Sequence, residues 1–144
     1  MRAPFTQLYL HCVWATWDRL PLITPTVQDN IYASIHAKGR ELKCEVLALG
    51  GMPDHVHVLV RFPTTLSVAD LVKGVKGTSS HRQTQQVSPE SFFKWQGGYG
   101  AFTVSPDIVP SVTAYIHNQK RHHAEGNLWT AWEETQTPEM LAAE

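Results

Sequence analysis

The sequence predicts a single α+β domain built around an antiparallel sheet. Apolar patterns typical of strands and helices follow one another in the order β-α-β-β-α-β, which is a split β-α-β arrangement. A length of 144 residues suits one compact domain. Apolar residues form 42% of the chain and charged residues 17%, which favours a globular protein over a disordered one. We therefore treat residues 1–144 as one domain.

The first half of the chain predicts three strands and one helix. Residues 6–16 are rich in β-branched and aromatic side chains, which favour a buried strand. Apolar side chains recur at helical spacing over residues 26–40. Residues 42–50 predict a second strand. A tight connection follows over residues 50–54, and residues 55–62 predict a third strand.

The second half begins with a capped helix and two short strand-like segments. Ser67 can cap the helix, and Asp70 stands at its third position in a variant of the capping box. The polar residues 77–90 predict the end of this helix and a loop. Residues 91–95 and 99–105 form the strand-like segments, which are separated by two glycines.

A further helix follows the sheet, beginning at Asp107 and running through Gln119. The whole order predicts a ferredoxin-like fold: a split β-α-β antiparallel sheet with helices on one face, and an additional C-terminal helix that bears a tyrosine. The other face of the sheet is left free for a ligand. We place the core at about residues 6–123 and an acidic C-terminal tail at residues 124–144.

The charges are unevenly distributed, although the net charge is only −1. Residues 61–121 contain seven cations and three anions, a balance of +4, whereas residues 124–144 contain five glutamates and no lysine or arginine. The acidic tail therefore masks a basic middle. This distribution permits a phosphate-bearing partner without identifying one, because most charged surfaces are simply solvated.

Cysteine usage and hydropathy indicate the compartment. Cys12 and Cys44 lie in apolar runs without CxxC spacing, which argues against a zinc knuckle and favours two reduced, buried thiols. No apolar run reaches the roughly 20 residues that a membrane helix needs. The N-terminal residues carry no signal-peptide pattern. We therefore expect a cytoplasmic protein with no membrane contact.

Two histidines share one face of the third predicted strand. Side chains alternate across a strand, so His55 and His57 point one way while Val56 points the other way. Two imidazoles side by side on an apolar strand are a plausible metal site. Structural histidines also occur at this spacing, so the pattern alone leaves both interpretations open.

A tyrosine and a glutamine share one face of the last predicted helix. Tyr115 and Gln119 are four residues apart, which places their side chains about 6 Å from each other on a helix. A tyrosine in this position commonly packs in a core, and a glutamine is commonly solvated. This pair alone therefore does not establish a site.

Five separated blocks stand in a fixed order between roughly residues 8 and 123, and they read YLHCVWAT, MPDHVHVLV, KGVKG, WQGGYGAF and YIHNQ. In these blocks the chain resembles the HUH single-tyrosine transposases of simple bacterial insertion sequences, and their relatives associated with repetitive extragenic palindromes. The MPDHVHVLV block is specific. Its combination with the Tyr-x-x-x-Gln pattern makes the resemblance strong.

The resemblance implies roles for the matching positions. His55 and His57 would bind a divalent metal, Mg²⁺ or Mn²⁺, with the amide oxygen of Gln119 as the third ligand. Mn²⁺ suits this mixed nitrogen and oxygen set well. Tyr115 would be the nucleophile, and His117 is not assigned to the metal because it points away from the shared face.

The implied activity is that of a transposase, which cleaves and rejoins single-stranded DNA. The metal would polarise the scissile phosphate, and attack by Tyr115 would give a 5′-phosphotyrosine and a free 3′-hydroxyl. Because the phosphodiester energy is kept, rejoining would need no ATP. The resemblance also implies DNA hairpin ends as the partner and a homodimer whose tyrosine helix can complete the partner's site, although some relatives are monomeric.

Five more residues are candidates for DNA contacts. We expect the cations on or just after the second helix to contact phosphates, namely Lys73, Lys76 and Arg82. Trp95 and Tyr99 can stack on unpaired bases. The alternatives are an ordinary solvated helix face for the cations, and core aromatics at a sheet edge for the two rings.

Two other functions stay open. One is a non-cleaving, domesticated module that binds single-stranded nucleic acid, but the presence of all four implied site residues argues against an inactive copy. The other is an unrelated metal hydrolase, which would offer more carboxylates near the histidines. Only Asp54 is adjacent, and on a strand it would face away from His55. No role follows for the tail with Trp129 and Trp132.

Overall fold

The sheet of the computed structural model, which describes residues 2–126 and 130–135, has the predicted architecture. Four antiparallel strands lie in the order β2-β3-β1-β4. Their bounds are Tyr9–Ala15 for β1, Glu45–Met52 for β2, His55–Arg61 for β3 and Gly100–Val104 for β4. This order is that of the ferredoxin-like split β-α-β fold and confirms the predicted class.

Two long helices and two shorter ones accompany the sheet. Their bounds are Pro25–Glu41 for α1, Val68–Arg82 for α2, Val109–His117 for α3 and Gln119–Glu125 for α4. A π-helical turn extends α2 over Gln83–Val87, and a 3₁₀ turn forms over Thr130–Glu133. Among the described residues, no helix combines the length and the hydropathy needed to cross a bilayer.

Both long helices begin at side-chain caps. The hydroxyl of Thr24 accepts a hydrogen bond from the backbone N–H of Val27, and Pro25 occupies the first turn, where its missing N–H costs nothing. The hydroxyl of Ser67 accepts from the backbone N–H of Asp70 at 3.1 Å, which confirms the predicted cap. Each cap satisfies a backbone donor that the helix itself leaves unpaired.

The alternation along β1 and β3 divides the apolar side chains between the two faces of the sheet. Leu10, Cys12 and Trp14 from β1, with Val56 and Val58 from β3, join the larger core under α1 and α2. Both cysteines are buried and unbridged, as predicted. This face is therefore filled by aliphatic and aromatic packing.

The opposite face of the sheet is covered, contrary to the expectation that it stays free. A second core cluster joins Leu59 of β3 to Val112 and Ile116 of α3, and Trp132 packs against it. The 3₁₀ turn that carries Trp132 lies in the predicted acidic tail, so this part of the tail packs against the body of the same chain. The histidines of β3 lie beneath this second layer.

Two predicted strand boundaries are wrong. Residues 91–95 do not form a strand and contribute only an isolated bridge between Thr16 and Trp95. The second strand begins at Glu45 rather than at residue 42, because Lys43 adopts the left-handed conformation with φ 65°. Such a residue ends the turn after α1 and cannot belong to a regular strand.

Gly50 lets α3 approach the sheet beside the histidines. It pairs with His57 across β2 and β3. A Cβ atom at Gly50 would collide with the backbone carbonyl of Ile116 in α3. The absence of a side chain therefore permits the close contact that holds α3 over the sheet.

We expect Gly50→Ala to destabilise the protein by about 1–3 kcal/mol, because overpacking against a backbone atom forces α3 to move. Chemical denaturation of the purified variant measures this change. Gly77→Ala is the matched control, since a Cβ atom at Gly77 meets nothing within 4 Å and alanine is favoured in a helix by roughly 0.5–1 kcal/mol. Equal effects of the two substitutions would contradict the close-approach argument.

Candidate active site

His55 and His57 lie side by side on the covered face of the sheet. They belong to β3, and their exposed fractions are 2% and 0%. Their ring centroids are 5.1 Å apart. The period of two along the strand therefore brings both imidazoles to one buried place, as predicted.

Tyr115 and Gln119 approach the same place, but they do not lie on one continuous helix. The helix is interrupted at Asn118, where φ is −104° and ψ is 25°, so Tyr115 lies in α3 and Gln119 opens α4. The side-chain amide of Gln119 donates to the backbone carbonyl of Tyr115 at 3.3 Å. Its oxygen Oε1 lies 3.3 Å from Nε2 of His55. The amide oxygen therefore faces His55, and it also lies 3.1 Å from Nε2 of His123.

Glu133 lies at the centre of the site, and the sequence did not reveal it. Its Oε1 is 3.2 Å from Nε2 of His55, and its Oε2 is 3.0 Å from Nε2 of His57. It comes from the 3₁₀ turn Thr130–Glu133. The tail shows no periodicity, so the only sequence signal was the neighbouring Trp132, which packs against the second core cluster.

The tyrosine hydroxyl is already engaged by the same carboxylate. Tyr115 donates to Oε2 of Glu133 at 2.6 Å. Its ring stacks on His122 at 4.9 Å and meets the edge of Trp132 at 5.0 Å. Tyr115 is only 3% exposed. The phenol is therefore oriented toward the histidines of its own chain and covered by the 3₁₀ turn.

Asp54 corrects an expectation about the histidine strand. It precedes β3 in a turn, so strand alternation does not apply to it. Its Oδ1 lies 2.7 Å from Nδ1 of His55, and its Oδ2 lies 3.8 Å from Arg19. With Nδ1 engaged by the carboxylate, Nε2 of His55 faces the site.

His11 contacts Nδ1 of His57, the ring nitrogen that does not face Glu133. Its Nε2 lies 2.8 Å from Nδ1 of His57, and both side chains are fully buried. His11 is on β1 and faces the same side of the sheet as His57, because Val13 pairs with His57 and lies two residues along. Because His11 engages Nδ1 of His57, Nε2 is the nitrogen of His57 that points into the site.

Burial and carboxylates set the protonation of the site in opposite directions. Burial lowers the pKa of His55, but its hydrogen bond with Asp54 and the contact with Glu133 outweigh burial and raise the pKa to about 9. Burial dominates at His57 and lowers its pKa. Burial would raise the pKa of Glu133, yet contacts with the histidines and Tyr115 hold the pKa well below its usual range. An ionised carboxylate therefore faces one charged and one neutral imidazole.

The donor atoms fit a divalent cation. One ligand atom each from His55, His57 and Glu133 lies within 4.8 Å of the others. Nε2 of His57 is buried and lies 3.0 Å from Oε2 of Glu133, but it makes no well-directed hydrogen bond among the residues that the structure describes. A neutral imidazole nitrogen in this position is a good ligand for a cation placed among the three groups.

A cleft of about 450 Å³ opens beside the site. Gly50, Gly51 and Gln119 contribute to its wall, and the exposed Lys120 and Arg121 lie at its edge. This cleft offers positive charge next to Gln119.

The predicted DNA contacts do not cluster around the histidines. Lys73, Lys76 and Arg82 belong to α2, which packs on the other face of the sheet. Lys73 is exposed and Arg82 half-buried. The Nζ of Lys76 instead donates to the carbonyls of Gln96 and Gly98 at 2.8 and 3.0 Å, so it anchors the loop before β4.

The two aromatic candidates differ in exposure. Trp95 is 7% exposed, meets Trp14 and Phe93 edge-on, and donates its indole N–H to Ser79. Its ring belongs to the core, so stacking on a base is not supported by this geometry. Tyr99 is half-buried at the margin of the same core.

Comparison with known proteins gives a consistent family. The profile of the family described as "Transposase IS200 like" matches residues 4–119. The ISDra2 transposase TnpA of Deinococcus radiodurans is 27% identical over 118 residues, covering 78% of this chain and 84% of that protein.

Two solved structures resemble the fold. A crystal structure of a transposase candidate from Deinococcus radiodurans R1 has a TM-score of 0.67 and 27% identity, covering 83% of this chain and 95% of that one. A tyrosine transposase associated with repetitive extragenic palindromes (REPs), solved bound to a REP hairpin, has a TM-score of 0.63. That protein is 14% identical, with coverage of 89% of this chain and 74% of its own, so it supports the fold alone.

We expect Lys76→Met to lower the free energy of unfolding by on the order of 1.5–3 kcal/mol, because charge-assisted hydrogen bonds to two loop carbonyls are lost. Thermal or chemical denaturation measures the change. Lys73→Met removes an exposed lysine one turn away on the same helix and should stay within about 0.5 kcal/mol of the unmodified protein. An unchanged free energy of unfolding in Lys76→Met would show that the lysine does not anchor the loop.

Proposed function

The chain belongs to the IS200-like transposase family, whose members are enzymes that cleave and transfer DNA strands, and we propose that it cuts and rejoins single-stranded DNA with Tyr115 as the nucleophile. The observation that carries the proposal is the meeting of four predicted residues within one chain. The phenol of Tyr115 and the imidazole of His57 lie 5.8 Å apart between ring centroids. Gln119 contacts His55.

The family is metal-dependent, and the donor set fits a divalent ion. We propose that His55, His57 and Gln119 hold Mg²⁺ or Mn²⁺, as the family resemblance implies. When bound, such an ion polarises a scissile phosphate and offsets the charge that develops on it. Imidazole ligands favour Mn²⁺ over Mg²⁺, which dehydrates reluctantly and prefers oxygen.

Tyr115 would attack the phosphorus of the scissile phosphodiester. A bond forms between the phenolic oxygen and phosphorus, and the bond from phosphorus to the 3′-oxygen breaks. The phenol proton is balanced by the proton that the leaving 3′-oxygen gains as it becomes a hydroxyl. The product is a 5′-phosphotyrosine, and attack by a 3′-hydroxyl on it reverses the step and joins strands.

We further propose that the substrate ends in a DNA hairpin, which a structurally similar protein binds. The cleft edged by Lys120 and Arg121 lies next to Gln119 and can bind the backbone of the scissile strand. Lys73 and Arg82, on the far side of the sheet, remain candidates for the hairpin stem, and Tyr99 for an unpaired base. Lys76 anchors the loop before β4 and Trp95 packs in the core, so neither is proposed to contact DNA.

Tyr115 acts in the site of its own chain in this proposal. Its hydroxyl donates to Glu133, which in turn contacts both histidines of that chain. A homodimer is therefore not required to complete the site, although the family resemblance implies one.

Incubation with Mn²⁺ and a panel of single-stranded hairpin oligonucleotides should give a protein–DNA adduct that survives denaturing electrophoresis. Tyr115→Phe should abolish the adduct, because the attacking hydroxyl is lost. Tyr9→Phe removes a hydroxyl of the same kind from a half-buried tyrosine of β1 that has no proposed role in DNA binding, and it should retain the adduct. Binding without any adduct across the panel would instead favour the non-cleaving module.

A mixing experiment tests whether the tyrosine acts within one chain. Tyr115→Phe and His57→Gln should each lack adduct formation, and an equimolar mixture should stay at background because neither chain has a complete site. Circular dichroism of both variants confirms folding. Recovery of a substantial part of the activity in the mixture would show that the tyrosine of one subunit serves the histidines of another.

A further inference from the structure

We propose that Glu133 is a fourth protein ligand of the divalent metal and that the 3₁₀ turn Thr130–Glu133 is part of the active site. The inference rests on the proposed metal-dependent cleavage and extends its ligand set. Glu133 lies beyond residues 4–119, the part of the chain that matches the family. The family match therefore does not include this residue.

The spacing of the donor atoms supports the assignment. Ligand atoms about 2.1 Å from an octahedral ion such as Mg²⁺ lie about 3 Å from their neighbours. Oε1 of Glu133 is 3.2 Å from Nε2 of His55, and Oε2 is 3.0 Å from Nε2 of His57. Gln119 Oε1 is 3.3 Å from Nε2 of His55. All three distances match adjacent positions around one cation.

His57 supplies an independent observation. It is fully buried, its Nδ1 is engaged by His11, and its Nε2 makes no well-directed hydrogen bond within the described part of the chain. Oε2 of Glu133 lies 3.0 Å from that nitrogen. A buried nitrogen beside a carboxylate without such a hydrogen bond is poorly satisfied, and a cation bound by both groups would remove this cost.

The charge of the ligand set leads to the same conclusion. Once His55 has lost its proton to bind the metal, the two imidazoles and the amide are neutral ligands, so they do not compensate any of the two positive charges of the metal. Glu133 adds one negative charge and a hard oxygen, which Mg²⁺ and Mn²⁺ prefer. The carboxylate is also mostly screened from water, with a side-chain exposure of 17%.

Glu133 would connect the metal with the nucleophile. Its Oε2 accepts the hydrogen bond from Tyr115 at 2.6 Å. The same carboxylate thus orients the phenol beside the histidines. In this respect Glu133 is a positioning residue for Tyr115 in addition to being a ligand.

The opposite role is that of a competitor. A carboxylate held between two imidazoles could replace the cation instead of binding it, and it would then weaken metal binding. The two roles predict changes of opposite sign when the carboxylate is removed. A direct measurement of metal affinity without DNA therefore separates them.

Titration of Mn²⁺ into the full-length protein, followed by electron paramagnetic resonance, is the test. Glu133→Gln should weaken Mn²⁺ affinity at least about tenfold, because a directly bound carboxylate should matter no less than the outer-shell partners whose loss costs 10–100-fold. Glu134→Gln is the matched control, since Glu134 is the adjacent acidic residue and is exposed. It should change the affinity by no more than about twofold.

Glu133→Asp keeps the charge and distinguishes a lost ligand from a misfolded turn. Its affinity should lie between those of the unmodified protein and Glu133→Gln, with thermal unfolding recorded for each variant. Unchanged or tighter Mn²⁺ binding by Glu133→Gln would overturn the assignment while leaving the proposed cleavage intact. An unmodified protein that binds no Mn²⁺ would overturn both.

Discussion

The alternation of side chains along β3 is the constraint on which the site depends. Val56 and Val58 fill the core beneath the long helices, so His55 and His57 must occupy the other face. Both neighbours of β3 in the sheet pair with it, which fixes its register on each side. Buried imidazoles require partners, and α3, α4 and the 3₁₀ turn supply them. The second layer therefore both buries an apolar cluster and supplies polar partners for the imidazoles.

The sequence predicted the fold where local patterns are strong. Strand β3, the Ser67 cap and the alternation of strands and helices along the chain follow from periodicity and capping chemistry, and the structure confirms them. Residues 91–95 look like a strand because they are rich in aromatics. The rings of Phe93 and Trp95 instead pack into the core, Phe92 is 59% exposed, and only Trp95 forms a bridge. Over so few residues, an aromatic-rich composition does not distinguish a strand from a loop that buries its aromatic rings.

The site was predictable only where its residues follow a local period. His55 and His57 follow the strand period, and the spacing of Tyr115 and Gln119 survives the interruption at Asn118. No period links Glu133 to the histidines, because it lies in the separate 3₁₀ turn Thr130–Glu133, beyond the end of α4 at the left-handed Gly126 with φ 67°. His11 was hidden in the same way, since its contact with His57 depends on the pairing of β1 with β3.

The 3₁₀ turn has a consequence for how copies of such genes are judged. The family match ends at residue 119, yet the acceptor of the Tyr115 hydroxyl comes fourteen positions later. A copy with a stop codon after Gly126 would retain every matched block while exposing the phenol and the second core cluster to water. Surveys that count intact motifs would score that copy as complete. Reading frames need to be followed to their ends before mobility is inferred.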